Sequence, residues 1–255
     1  MGYDRTAAPK FVCPQPASAG CAACTCEKRC FLGLLDPDQR RRFRAERIHR
    51  LYRSRQIIFS PGDAPQGLMI LCRGSVRIAF TTEQGRQVTV GYASCGELLG
   101  EAAYVAGKPH AFTAEALGDS FVSFLPKALS DELLAESPKL ARRVAEDSCG
   151  RYCATAKLAS NWILKSADAK LAEFLLSDEA GAVPDMPCKP HQRLSRKSLS
   201  EHVGLAPETV IRRLSDFKRR GLVRFAGKAV EIVDRGALAA VASDHGQAAA
   251  SAIWT

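Results

Sequence analysis

At roughly 150 residues per domain, 255 residues leave room for one large or two modest domains. A composition of 46% apolar and 25% charged residues is ordinary for a globular chain and excludes disorder, collagen and simple fibrous repeats. Thirty-six Lys and Arg against 27 Asp and Glu give a net charge of +9. Between Lys189 and Arg235 there are twelve basic and five acidic residues, a local surplus of +7 and the footprint of a phosphate-binding face. No uncharged apolar run reaches the ~18 residues of a bilayer span. The opening Met1-Gly2-Tyr3-Asp4-Arg5 lacks the apolar core of a secretory signal. The expectation is a soluble cytoplasmic protein with no membrane partner.

Residues 1–30 are rich in Pro, Ala and Cys and show no apolar period. Five of the ten cysteines fall there (Cys13, Cys21, Cys24, Cys26 and Cys30); Cys72, Cys95, Cys149, Cys153 and Cys188 are scattered. In a reduced compartment such a cluster holds metal or senses redox state more often than it forms disulfides. From Gln56 to Pro126 the pattern is strand-like. Val76, Ile78 and Phe80 alternate with Arg77 and Ala79, and Val88, Val90 and Tyr92 alternate with Thr89 and Gly91. Turn chemistry at Ser60-Pro61-Gly62-Asp63 and Arg73-Gly74 separates the short runs. This predicts an antiparallel barrel or jelly roll of about 70 residues.

Ser130-Asp131-Glu132 reads as a capped helix start ahead of Leu133 and Leu134. Pro138 opens a helix running to about Lys165, longer than the usual ~11–12 residues. Small residues (Gly150, Ala154, Ala156, Ala159) interleave its apolar stripe, as on a helix that pairs closely with a second copy. Cys149 and Cys153, at i and i+4, read as packing residues on one helix face. Ala167–Leu176 is a further amphipathic helix, 181–190 a Pro-rich loop, and the Ala-rich tail after Gly236 carries no pattern.

The segment from Leu194 to Leu214 has the spacing of a DNA-reading helix-turn-helix. Ser195 caps a first helix with Leu199 and Val203 on its apolar face, Gly204 permits the turn, and Pro207 suits the first turn of a second helix. Val210 and Leu214 then point to the core, leaving Pro207, Glu208, Ile211 and Arg212 outward as candidate base contacts. An Arg reads guanine through O6 and N7, and a Glu accepts from cytosine N4. Arg196, Lys197, Arg213 and Lys218, with Arg219 and Arg220, are candidate phosphate contacts. Short runs around Gly227 form a small β-wing. No phosphate-cradling Gly loop, nucleophile elbow or His–carboxylate constellation is present, so an enzyme is not expected.

With Ser60-Pro61-Gly62-Asp63, Arg73-Gly74-Ser75-Val76, Gly96-Glu97-Leu98-Leu99-Gly100-Glu101 and Glu208-Thr209-Val210-x-Arg212, in that order, the chain resembles the CRP/FNR superfamily of bacterial transcription regulators from about Cys21 to Leu238. The resemblance implies an α+β fold: an N-terminal antiparallel β-roll of the cyclic-nucleotide-binding type, a long dimerisation helix and a C-terminal winged helix-turn-helix. The expected boundaries are 1–30 for a cluster-binding segment, 31–130 for the roll, 131–165 for the dimerisation helix and 166–255 for the DNA-binding domain. The implied partners are double-stranded DNA with a palindromic site, a second copy of the chain, and RNA polymerase. It further implies that Glu208 and Arg212 read a G–A step in each half-site, whereas Ile211 and Pro207 depart from the Ser and Arg of the two main branches.

Cyclic-AMP sensors of the family hold the ligand phosphate with an Arg-Ser pair at positions matched here by His110 and Ala111. A neutral imidazole and a methyl do not replace them. Cys21-x2-Cys24-x5-Cys30 resembles instead the spacing by which FNR-type oxygen sensors hold three corners of a 4Fe–4S cluster, a soft-ligand site. The branch's fourth ligand is matched by Ser123; four other cysteines could replace it, and ligation by the serine or by another non-cysteine group stays open. Cys72 or Cys95, in the roll, would couple the cluster to the fold better than the local Cys26 or Cys13. A four-cysteine zinc site, a thiol–disulfide switch, or a small effector in the roll near Glu101 and His110 are the alternatives. On the iron–sulfur reading, oxygen, nitric oxide or redox state acts through the cluster on the DNA-binding dimer.

Overall fold

The computed structural model describes residues 30–83, 85, 87–176, 196–227 and 229–243. The chain forms two compact units, one holding the strands up to Phe124 other than Gln87–Val90 and the helices as far as Cys153, the other holding Gln87–Val90 and the chain from Ala154. Among the described residues no helix is long and apolar enough to cross a membrane.

The first unit opens with a 3₁₀ turn at Phe31–Leu34 and helix α1, Pro37–Glu46. Helix α1 starts where it does because Asp36 closes a capping box. Its Oδ1 accepts from the N–H groups of Asp38 (2.9 Å) and Gln39 (2.8 Å), the Gln39 amide accepts from the Asp36 N–H (3.1 Å), and Pro37 fills the first helical position.

Eight strands then form two four-stranded sheets. They are β1 (Ile48–Tyr52), β2 (Ile57–Phe59), β3 (Met69–Arg73), β4 (Val76–Thr81), β5 (Gln87–Ala93), β6 (Leu98–Leu99), β7 (Thr113–Ala116) and β8 (Ser120–Phe124). One sheet has the order β1-β8-β3-β6 and the other β2-β7-β4-β5. The antiparallel roll expected from the alternating patterns is thus present. Met69, Leu71, Val76, Leu99, Ala114 and Val122 fill the space between the sheets. Ile70, one residue out of step on β3, faces the opposite side and packs with Phe31, Phe43, Leu98, Leu125 and the helices.

In β4 the Val76 and Ile78 side faces this core, and Phe80, 46% exposed, lies beyond its edge. Arg77 is buried against Glu115 directly across the strands, at 2.6 Å. In β5 the buried positions are Thr89 and Ala93, so Val88, Val90 and Tyr92 occupy the half-buried side. Alternation fixes which residues share a face, not which face is covered.

Helix α2 spans Glu101–Ala106, α3 Lys127–Glu136 and α4 Pro138–Leu164. Helix α3 begins three residues before Ser130, so Ser130 is not its cap. It is fully buried, donating to the Leu125 carbonyl (3.1 Å) and accepting from the Leu68 N–H (3.0 Å). Leu140 and Val144 anchor the start of α4 in the first unit's core.

The second unit holds α5 (Ala167–Leu176), α6 (Arg196–Val203), α7 (Pro207–Arg219), the hairpin β9 (Val223–Ala226) with β10 (Ala229–Ile232), and α8 (Arg235–Ala242). Leu171, Leu175, Leu199, Val210, Leu214 and Phe217 are at the centre of its core. Helix α8 lies in the tail that shows no pattern in sequence; Asp234 caps it by accepting from the Ala237 N–H (2.8 Å), and Leu238 is fully buried.

Candidate DNA interface and sensor site

Helices α6 and α7 are held by one shared core. Leu199 and Val203 of α6 and Val210, Leu214 and Phe217 of α7 are each at most 3% exposed. The turn between them depends on Gly204, whose φ of +67° suits glycine and whose added Cβ would meet Trp162 at 3.4 Å. With the core side fixed, the outward side of α7 follows from the 3.6-residue period. Pro207, Glu208, Ile211, Arg212 and Ser215 are all exposed on it, and the first four are the residues expected to face the bases.

The expected phosphate contacts divide. Arg196 and Lys218 are exposed, with the Lys218 ammonium 5.6 Å from the centre of the Phe225 ring on the wing. The Lys197 side chain lies outside the described residues. Arg213 faces Asp168 of α5, its Nε 3.2 Å from Oδ1, and so ties α7 to α5. Arg219 and Arg220 both pair with Asp216. Ala206, ahead of Pro207, offers no side chain to the first-turn N–H groups of α7, which leaves the helix N-terminus suited to an anion such as a DNA phosphate.

In the first unit, the region matching a ligand phosphate site is filled by the chain itself. His110 is buried and stacks on Phe59, ring centres 3.9 Å apart. Gly100 is left-handed at φ +69°, and any Cβ there would lie 2.4 Å from the imidazole. Burial lowers the His110 pKa and keeps the ring neutral, outweighing the opposing charge of Asp63. Glu101, 1% exposed, pairs with Arg151 of α4 with Nε–Oε1 at 2.7 Å, and the same guanidinium donates to the Leu98 carbonyl. Burial raises the Glu101 pKa even against the pull of Arg151. Nothing in the sequence pattern pointed to this ion pair, because Glu101 and Arg151 lie fifty residues apart.

A sulfur-bearing group lies on the helix-facing side of the β1-β8-β3 sheet. His49, Ser123 and Ile70 are register neighbours across these strands. The Ser123 hydroxyl lies 2.9 Å from His49 Nδ1 and 3.0 Å from Cys72 Sγ. The Cys95 thiol donates to the Cys72 carbonyl at 2.8 Å. Cys30, 8% exposed, belongs to the apolar cluster containing Ile70, on the same side of the sheet. Cys72 therefore stands beside the position at which the FNR branch would carry its ligand. Burial first, and the Arg47 charge second, lower the His49 pKa. Among the described residues no three His, Cys, Asp or Glu side chains gather as a metal site; Cys13, Cys21, Cys24 and Cys26 lie outside them. Two soft thiols on one side of one sheet fit a thiolate-bound centre that takes its other ligands from that segment.

A β-roll joined by a long helix to a winged helix-turn-helix defines a DNA-binding transcription regulator, not an enzyme. Residues 49–137 match the cyclic nucleotide-binding domain and residues 169–241 the Crp-like helix-turn-helix domain. In the order of these two domains the chain is similar to regulators of the CRP/FNR family. It is 27% identical over 246 residues to the nitrogen fixation regulation protein FixK of Bradyrhizobium diazoefficiens, covering 92% of this chain and 99% of that one. The fumarate and nitrate reduction regulatory protein of Escherichia coli is 28% identical over 189 residues, covering 73% of this chain and 75% of that one. In fold it is similar to a crp/fnr-family transcriptional regulator from Eubacterium rectale, with a TM-score of 0.71, 19% identity and coverage of 84% and 98%. The c-di-GMP-responsive regulator CLP of Xanthomonas campestris gives 0.68, 22%, 78% and 100%. Members of the family bind DNA as dimers and act with RNA polymerase.

Proposed function

We propose that this regulator reads a palindromic DNA site and that an iron–sulfur cluster, of the 4Fe–4S type, held by Cys21, Cys24, Cys30 and Cys72 controls its binding. The observation that carries the choice of Cys72 is its Sγ, 3.0 Å from Ser123 Oγ on the Cys30 side of the sheet. Cys95 is less suited, since its thiol is turned to the Cys72 carbonyl. When bound, such a cluster supplies an iron centre that oxygen or nitric oxide can attack.

The chain's own residues do the rest. Cys30 and Cys72 tie the N-terminal segment to the sheet on which the start of α4 also packs, through Ile70, Leu140 and Val144. Arg212 donates to guanine, Glu208 accepts from cytosine, and Ile211 offers an apolar surface to a thymine methyl. Arg196, Lys197 and Lys218 hold phosphates and set register. Arg213, engaged with Asp168, positions α7.

The test is iron, sulfide and zinc analysis of anaerobically purified protein, with absorbance near 400 nm. Wild type and Cys95→Ser carry iron and sulfide, and Cys72→Ser loses them. Colourless wild-type protein holding zinc overturns the cluster, and an undiminished cluster in Cys72→Ser overturns this ligand.

A further inference from the structure

Two cysteines 23 residues apart in sequence meet at one end of the β3–β6 ladder. Beyond the pairs Met69–Leu99 and Ile70–Leu98, the Leu71 N–H donates to the Glu97 carbonyl (3.0 Å) and the Gly96 N–H donates to the Leu71 carbonyl (2.7 Å). Leu71 thus faces two residues, Gly96 and Glu97, across a bulge at which Gly96 is left-handed, φ +89°. The next positions along the two chains are Cys72 and Cys95, which therefore stand opposite each other. A tight turn holds Cys95 there. The Glu97 N–H donates to the Ser94 carbonyl (3.1 Å), and the Glu97 carboxylate accepts from the Ser94 N–H (2.9 Å).

Opposed residues of an antiparallel pair have Cα atoms about 4.5–5.5 Å apart, inside the roughly 4.4–6.8 Å of a disulfide. The side chains agree with the backbone. Cys95 Sγ lies 2.8 Å from the Cys72 carbonyl oxygen. A carbonyl oxygen is about 2.4 Å from its own Cα, which puts Cys95 Sγ no more than about 5.2 Å from Cys72 Cα. The two thiols differ in their surroundings. Cys95 is buried, whereas Cys72 is half-buried and its Sγ lies 3.0 Å from the Ser123 hydroxyl, a donor able to stabilise a thiolate. Cys72 is the sulfur that an oxidant reaches first, and Cys95 is the one placed to resolve it.

We propose that Cys72 and Cys95 form an intramolecular redox pair, joined as a disulfide by a peroxide-class oxidant. The Cys72 thiolate attacks a peroxide oxygen; the O–O bond breaks, leaving a sulfenic acid on Cys72 and releasing hydroxide. The Cys95 thiolate then attacks that sulfur, the S–S bond forms and a second hydroxide departs. The two thiol protons turn both hydroxides into water, so two thiols lose two electrons and one hydrogen peroxide gains them. The pairing stands on the ladder geometry and needs no metal. Its bearing on regulation rests on the reading of Cys72 as a ligand: once the cluster is lost, the disulfide withholds that ligand until a thiol reductant frees it.

The test uses the full chain, with iron and sulfide measured first. The protein is exposed to hydrogen peroxide, remaining thiols are blocked with N-ethylmaleimide, and a digest without reductant is mapped by mass spectrometry. Wild type yields the Cys72 and Cys95 peptides linked and lighter by two hydrogens, and dithiothreitol separates them. In Cys95→Ser, dimedone added with the peroxide labels Cys72 instead. Cys72 and Cys95 both blocked by N-ethylmaleimide after peroxide has removed the iron, or Cys72 linked to a different cysteine, overturns this proposal and leaves the cluster reading intact. The Cys72–Cys95 link found in protein that held no iron or sulfide overturns the cluster reading and upholds this pair.

Discussion

The Glu101–Arg151 pair makes a quantitative prediction about how α4 is fastened to the roll. Replacing Arg151 with Met keeps the aliphatic stem and removes the guanidinium, leaving the Glu101 carboxylate, 1% exposed, without its cation. Breaking a fully buried pair costs about 3–5 kcal/mol. The Arg151 side chain is 33% exposed, so water screens part of the interaction and about 2–3 kcal/mol is expected at pH 8. The sign of the pH dependence follows from the raised pKa of Glu101. A carboxyl whose folded pKa lies above its unfolded value releases its proton from the unfolded state first. The contribution of Glu101 to stability is therefore greatest below the ordinary value of 4.5 and falls as pH rises towards the raised one. Removing Arg151 raises the folded pKa further, so the Arg151→Met deficit should shrink between pH 8 and pH 5. The assay is urea unfolding of the first unit at both pH values, for wild type, Arg151→Met, Glu101→Gln and the double variant. The double variant should recover most of the loss. If Arg151→Met matches wild type at pH 8, or loses as much at pH 5, the pair does not fasten the helix and the reasoning is wrong.

The DNA face gives two further expectations. Arg212→Ala should cost about 1–3 kcal/mol of discrimination at a single base pair, measured by operator variants in a fluorescence titration; a loss spread evenly over all sequences would make Arg212 a phosphate contact. Lys218→Ala should weaken binding to every sequence alike and reduce the salt slope by about one, read from titrations across ionic strength. In the second unit's core, Phe217→Ala should cost about 3–5 kcal/mol, since Phe217 is fully buried and the space cannot close fully; circular dichroism melting reports the loss.

The winged helix-turn-helix was legible in the sequence because its signals are local. A glycine at the turn, a proline opening α7 and apolar residues at helical spacing fix which side of α7 is buried, and with it the exposure of Glu208, Ile211 and Arg212. The capping box of Asp36 and Gln39 was an equally local sign of α1, but it lies in a charged decapeptide with little apolar period. Helix α8 has one fully buried leucine among alanines and takes its stability from packing on α5.

What the residue order determined by itself was a strand-rich segment ahead of one long helix, the helix-turn-helix with its buried stripe, and a cysteine spacing suited to a soft metal centre. These follow from periodicity, caps and ligand type, which act within a few residues. What only the tertiary structure decided was which distant groups meet: Cys72 beside Ser123, Arg151 on Glu101, Arg213 on Asp168 and His110 filling the space under Gly100. Those meetings depend on strand register and helix packing: a one-residue slip sends a strand side chain to the opposite face and turns a helical one by about 100°.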